Sequence, residues 1–165
     1  MNIKISALLF FLLVPGNIFS QSDFLDELTN WVGEWESTFT INNDKEAENL
    51  TISFAHNYQF LQMEIKGKSL TVSDAYWSST AFFTLDHDLK IVGWEVNSNG
   101  LEGMTTIKGM FDKNKLYLEY KCQLYKDKLT WERRDGKIFR IYGESKNKET
   151  GETIPGGEAV FTRKN

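Results

Sequence analysis

The sequence predicts an all-β protein: about ten antiparallel strands in up-and-down order, closed into a barrel, with a short N-terminal helix capping one end. Three observations carry this reading. From Trp35 onward, apolar residues recur at every second position in short runs. These runs are parted by turn signals, among them Asp86-His87-Asp88, Asn97-Ser98-Asn99-Gly100 and Asp135-Gly136, spaced too closely to leave room for crossover helices. Aromatic residues make up 14% of the chain against two prolines, a balance that favours pleated structure. Closing such a sheet removes its exposed edges, and the interior is then just wide enough for side chains or one small ligand.

Each element has its own justification. Met1 to Ser20 reads as a secretory signal peptide, with Lys4 as the positive segment, an apolar run from Ile5 to Val14, and a Pro15-Gly16 break before Ser20-Gln21. That run is too short to span a bilayer, and no later one is longer. The expected localisation is secreted or periplasmic, with residues 21–165 forming a single domain able to bury roughly 70% of its unfolded surface. Phe24, Leu25, Leu28, Trp31 and Val32 then fall on one helical face, with Asp26, Glu27 and Asn30 opposite. Ser22 or Asp23 can cap that helix and Gly33 stops it. Past Gly33 the period becomes two, placing Trp35, Ser37, Phe39 and Ile41 on one face.

The later strands follow from the same alternation. Leu50, Ile52, Phe54 and His56 share a face, Phe60 to Ile65 gives the next strand, and Thr71 to Ser79 is ambiguous. Ala81, Phe83 and Leu85 come next, then Val92, Trp94 and Val96, then Met104 to Phe111. Lys115 to Tyr125 reads as one long strand with Leu116, Leu118, Tyr120 and Cys122 inward, followed by Leu129, Trp131 and Arg133. Ile138 to Gly143 and Glu158 to Arg163 complete the sheet around a polar loop, Lys146 to Gly157.

The run Trp31-Val32-Gly33-Glu34-Trp35, a helical turn leading into G-x-W at the head of the first strand, resembles the opening of lipocalins and their calycin relatives, including fatty-acid-binding proteins. With the later FLQMEIKG, the aromatic middle and the terminal FTRK, the chain is also similar to an uncharacterised family of secreted bacterial calycin-like domains. The lipocalin resemblance implies a structural clasp at the closed end, the Trp35 indole under the guanidinium of Arg163. Fatty-acid-binding relatives use interior arginines from late strands to hold a ligand carboxylate, which makes Arg133 the candidate here. Nitrobindins ligate haem through a histidine near the C-terminus; here no histidine lies beyond His87, so the resemblance carries no haem site.

Charge and residue inventory narrow the function further. The net charge is −4, and lysines are interleaved with acids, which disfavours nucleic acid as a partner. Cys122 is the only cysteine, so no internal disulfide forms, and with two histidines the chain has no tetrahedral zinc set. No nucleophile motif is present, and no feature selects Glu64 or Glu95 for acid–base work. The expected function is binding of a small apolar, amphipathic or carboxylate-bearing ligand inside the barrel, with no cofactor, by Arg133, Trp131, Trp94, Phe54, Met63, Phe83 and Tyr120. The other reading from the same residues is an interior filled by aromatics and a domain that works through its surface. The alternative for Arg133 itself is that, just before Arg134-Asp135-Gly136, it emerges at the rim.

Overall fold

The structure, a computed structural model, describes residues 21–41, 44–98, 100–123, 125–143, 145–154 and 156–165; the expected signal peptide lies outside them. Helix α1 (Gln21–Thr29) leads into strands β1 (Gly33–Ile41), β2 (Asp44–Ala55), β3 (Phe60–Ser69), β4 (Tyr76–Leu85), β5 (Ile91–Asn97) and β6 (Gly100–Asp112). Strands β7 (Lys115–Lys121), β8 (Tyr125–Arg134), β9 (Lys137–Tyr142), β10 (Ser145–Asn147), β11 (Thr153–Ile154) and β12 (Gly157–Arg163) follow. Every pairing is antiparallel, each strand from β1 to β9 pairs with the next, and β12 lies between β9 and β1. The short β10 and β11 carry the β9–β12 hairpin outward along β8. The result is a closed ten-stranded up-and-down barrel, as the alternation predicts.

The closed end is built from the helix. Phe24, Leu28 and Trp31 are buried under the barrel, and the Phe24 ring meets Phe111 edge-on with centroids 5.3 Å apart. Above them lie Trp35, Leu50, Ile52, Leu61, Ile107, Leu116, Ile138 and Phe161, all essentially without solvent contact. The Trp35 indole nitrogen donates to the Trp31 carbonyl at 3.0 Å, tying the first strand to the helix end. Arg163 sits opposite Trp35 in the β1–β12 register, its guanidinium 4.4 Å from the indole centroid, and it donates to the Asn30 carbonyl at 3.2 Å. Gly33 makes this possible: its φ of +143° suits glycine, and a Cβ there would stand 2.6 Å from Arg163 Nη1.

Several strand limits differ from the alternation. Helix α1 starts at Gln21, ahead of both expected caps. The long strand expected through Tyr125 ends at Lys121: the Cys122 amide donates to the Tyr125 carbonyl and the Tyr125 amide to Cys122 Sγ, both at 3.2 Å, and Tyr125 opens β8. His56 is not on the apolar face of β2; it opens the turn Gln59 closes, with φ of 51° and an exposed ring. Part of the expected polar loop forms β10 and β11.

Candidate functional site

Barrel closure sorts side chains by parity, and the register says which parity is inside. Trp35, Leu50, Ile65, Ser79 and Asn97 are successive cross-strand partners, so their positions and those two residues away face inward. At the helix end these positions are apolar apart from Arg133 and Arg163. Toward the other end they become Glu48, Trp77, Ser79, Glu95, Thr105, Asp127, Arg140 and Tyr142, and they enclose a cavity of about 410 Å³. Met63, Ala81, Phe83, Leu129 and Trp131 form its apolar inner wall. This volume lies within the range of small-molecule sites.

The centre of the polar half is an ion pair reaching across the barrel. Arg140 Nη2 donates to Glu48 Oε2 at 2.6 Å, and the two side chains are 5% and 4% exposed. Charges this far from water persist only when paired and hydrogen-bonded. Glu48 has a second partner: Trp77 Nε1 donates to Oε1 at 3.2 Å. Trp77 reaches Glu48 by lying flat over Gly67, which stands between them in the register and where a Cβ would overlap the indole. On the other side, Arg140 is boxed by aromatic rings, with its guanidinium carbon 4.7 Å from the Tyr142 centroid, 5.3 Å from Phe161 and 5.5 Å from Trp131. Among the described residues, Nε of Arg140 and Nε1 of Trp131 are buried without a hydrogen-bond partner.

Glu95 is the second charged group of the cavity. It faces inward from β5, next to a register shift between Glu95 and Asn97 that opens the β5–β6 edge near the mouth. Enclosure by the barrel wall raises its carboxyl above the ordinary 4.5, and nearby Asp127 adds to this, while Ser79 and Arg140 act in the opposite direction. Among the described residues, no lysine or arginine forms an ion pair with it. Tyr120, beside it, has its hydroxyl pushed upward by burial first and by the Glu95 charge second. Burial likewise raises the hydroxyl of Tyr142, against the pull of Arg140. Glu46, further out on the same face of β2, is raised by burial and by the charges of Glu48 and Asp44.

The residues expected to bind a ligand divide between two ends and two faces. Met63, Phe83, Tyr120 and Trp131 line the cavity together. Phe54 faces inward at the helix end, where it packs on the core and its ring lies 5.2 Å from Tyr58, away from the cavity. Trp94 is on the outside: it pairs across the strands with Phe82 and Thr106, is 44% exposed, and stacks on Phe82 with centroids 5.5 Å apart. The inward set of β5 is Ile91, Gly93 and Glu95, and the more apolar set, Val92, Trp94 and Val96, faces out because Phe82 and Phe60 give Trp94 partners there. Arg133 has inward parity but sits at the helix end, opposite Ile138 and clear of the cavity; its amide donates to the Asn114 carbonyl at 2.9 Å and its carbonyl accepts from Asn114 Nδ2 at 2.7 Å.

Among the described residues, the cation that lines the cavity is therefore Arg140. Its neighbours Phe139 and Ile141 are the more apolar positions of β9, so alternation within that strand turns Arg140 outward. Its inward direction depends on Glu48, a partner 92 residues earlier in the chain. The one available signal was Glu46 and Glu48 at the inward positions of β2, two acids on a face whose other members are Leu50 and Ile52. Comparison with protein-family models finds no match, and comparison with curated proteins finds none. No helix among the described residues is long and apolar enough to cross a membrane. The assignment of function accordingly rests on the cavity.

Proposed function

We propose that this chain is an exported binding protein that holds one small amphipathic molecule in the barrel, apolar part inward and polar head at the mouth. The observation that carries this is the cavity of about 410 Å³, in which an apolar floor of Met63, Ala81, Phe83, Leu129 and Trp131 meets a polar collar of Glu48, Glu95, Tyr120 and Arg140. A barrel whose interior served only to fill space would bring apolar side chains to both ends, as this one does at the helix end. The Arg140 charge is already matched by Glu48, so a fatty-acid-like carboxylate gains no free cation here, in contrast to the expectation for Arg133. A calycin-like kinship fits the barrel order and the Trp35–Arg163 contact.

The test is uptake of the neutral dye N-phenyl-1-naphthylamine by the folded protein, compared with Ala81→Phe. Ala81 is 5% exposed on the cavity wall, so a phenyl ring there occupies ligand space. Stoichiometric uptake by the natural chain and its loss in a folded Ala81→Phe variant support the reading. Equal uptake by both, or none by either, contradicts it. A second reading, surface recognition, is favoured by one observation: the ring cluster of Phe60, Phe82 and Trp94 on the outer face of β3, β4 and β5.

A further inference from the structure

We infer that the ligand head is a cation, a protonated amine or quaternary ammonium, and that Glu95 is its counter-ion. This rests on the cavity-binding reading above and names the chemistry of the molecule the cavity takes. The lining contains three carboxylates, Glu48, Glu95 and Asp127, and one guanidinium, Arg140. The guanidinium is consumed by Glu48. Asp127 accepts from the Ser145 hydroxyl, and lies toward the mouth. Glu95 is left inside the barrel with a hydroxyl neighbour, Ser79, and no ion-pair partner among the described residues; Arg140 acts on it only from beyond contact, while bonded to Glu48.

A half-buried carboxyl with no ion-pair partner among the described residues disfavours folding, whereas β9 supplies Arg140 to Glu48. A group kept at such a cost in a cavity is a candidate for function. The surroundings suit a cation for a second, independent reason. Trp77, Tyr120 and Trp131 bring aromatic rings to the same cavity, and the faces of such rings attract ammonium groups. An anionic head meets the opposite: the acidic surplus of the lining, with Glu46 further out on the Glu48 face of β2. The chain's net charge of −4 draws cations toward the protein as a whole.

The experiment is calorimetric titration of the full-length mature chain with three probes of one tail length: octylammonium, octanol and octanoate. The expected order is octylammonium tightest and octanoate weakest. Glu95→Gln should weaken octylammonium about tenfold or more, the usual loss when a charged partner is removed from an enclosed pair, and leave octanol within about twofold. Glu95→Asp keeps the charge and should keep the preference for the amine. If Glu95→Gln does not fold, the order of the three probes on the natural chain decides alone. Octanol bound as tightly as octylammonium, or octanoate tighter than either, overturns the cation assignment and leaves the cavity reading standing. Failure of all three to bind overturns both.

Discussion

Replacing Glu48 with glutamine leaves the Arg140 guanidinium, 95% out of solvent with its partner at 2.6 Å, facing a neutral amide. The shape of the side chain is preserved and Trp77 keeps an acceptor, so the change isolates charge. Removing one member of a buried pair costs about 3–5 kcal/mol because the other charge stays enclosed. That is a large share of the roughly 5–15 kcal/mol that holds a domain folded. For a domain of this size it corresponds to a fall in Tm of roughly 6–20 °C. The double variant Glu48→Leu with Arg140→Met removes both charges and keeps volume, so it should recover most of the loss, since apolar replacements of buried pairs are commonly neutral or stabilising. Urea unfolding of the natural chain, Glu48→Leu, Arg140→Met and the double closes the cycle. A single-variant cost below about 1 kcal/mol, additive in the double, is the behaviour of a solvated surface pair and would refute the buried bridge.

Three further outcomes follow from the same geometry. Glu95 has a folded-state pKa above its ordinary 4.5, so the folded chain holds that proton more tightly than the unfolded chain, and stability falls as pH rises from 4.5 through the folded value. Glu95→Gln should therefore melt higher than the natural chain above that window and equal to it below pH 4.5; a lower Tm at neutral pH would reveal a structural partner for Glu95. Gly67→Ala sets a methyl group into the Trp77 indole and should cost about 1–3 kcal/mol by overpacking, with a shift in tryptophan emission that the Trp77→Phe background lacks. Arg163→Ala removes a half-solvated cation from the Trp35 face and should cost about 0.5–1 kcal/mol, read as a small drop in urea midpoint at constant slope.

The barrel was legible in the sequence because its signals are local. The Gly33 switch from helical to strand period, the alternation through Leu116, Leu118 and Tyr120, and the turn residues at Asp135-Gly136 each need only a few neighbours to be read. What alternation does not carry is which parity closes inward when both are tolerable. In β5 the outward set is the more apolar, since Trp94 finds Phe60 and Phe82 across the outer face, while at inward Gly93 a Cβ would run into the Phe82 carbonyl and the Phe83 ring. The site was less legible for the same reason. Four wall residues follow from strand parity alone, but Arg140 takes its direction from Glu48 across the barrel, and Glu95 becomes conspicuous only once the positions of the cations around it are known.

The most direct measurement of the central claim is native mass spectrometry of the protein purified from its own host, before and after unfolding and delipidation. The account predicts a stoichiometric small-molecule adduct that unfolding releases, that Ala81→Phe excludes, and whose released mass carries a basic nitrogen. A bare mass from the host, with no uptake of octylammonium or octanol by the refolded chain, would contradict it.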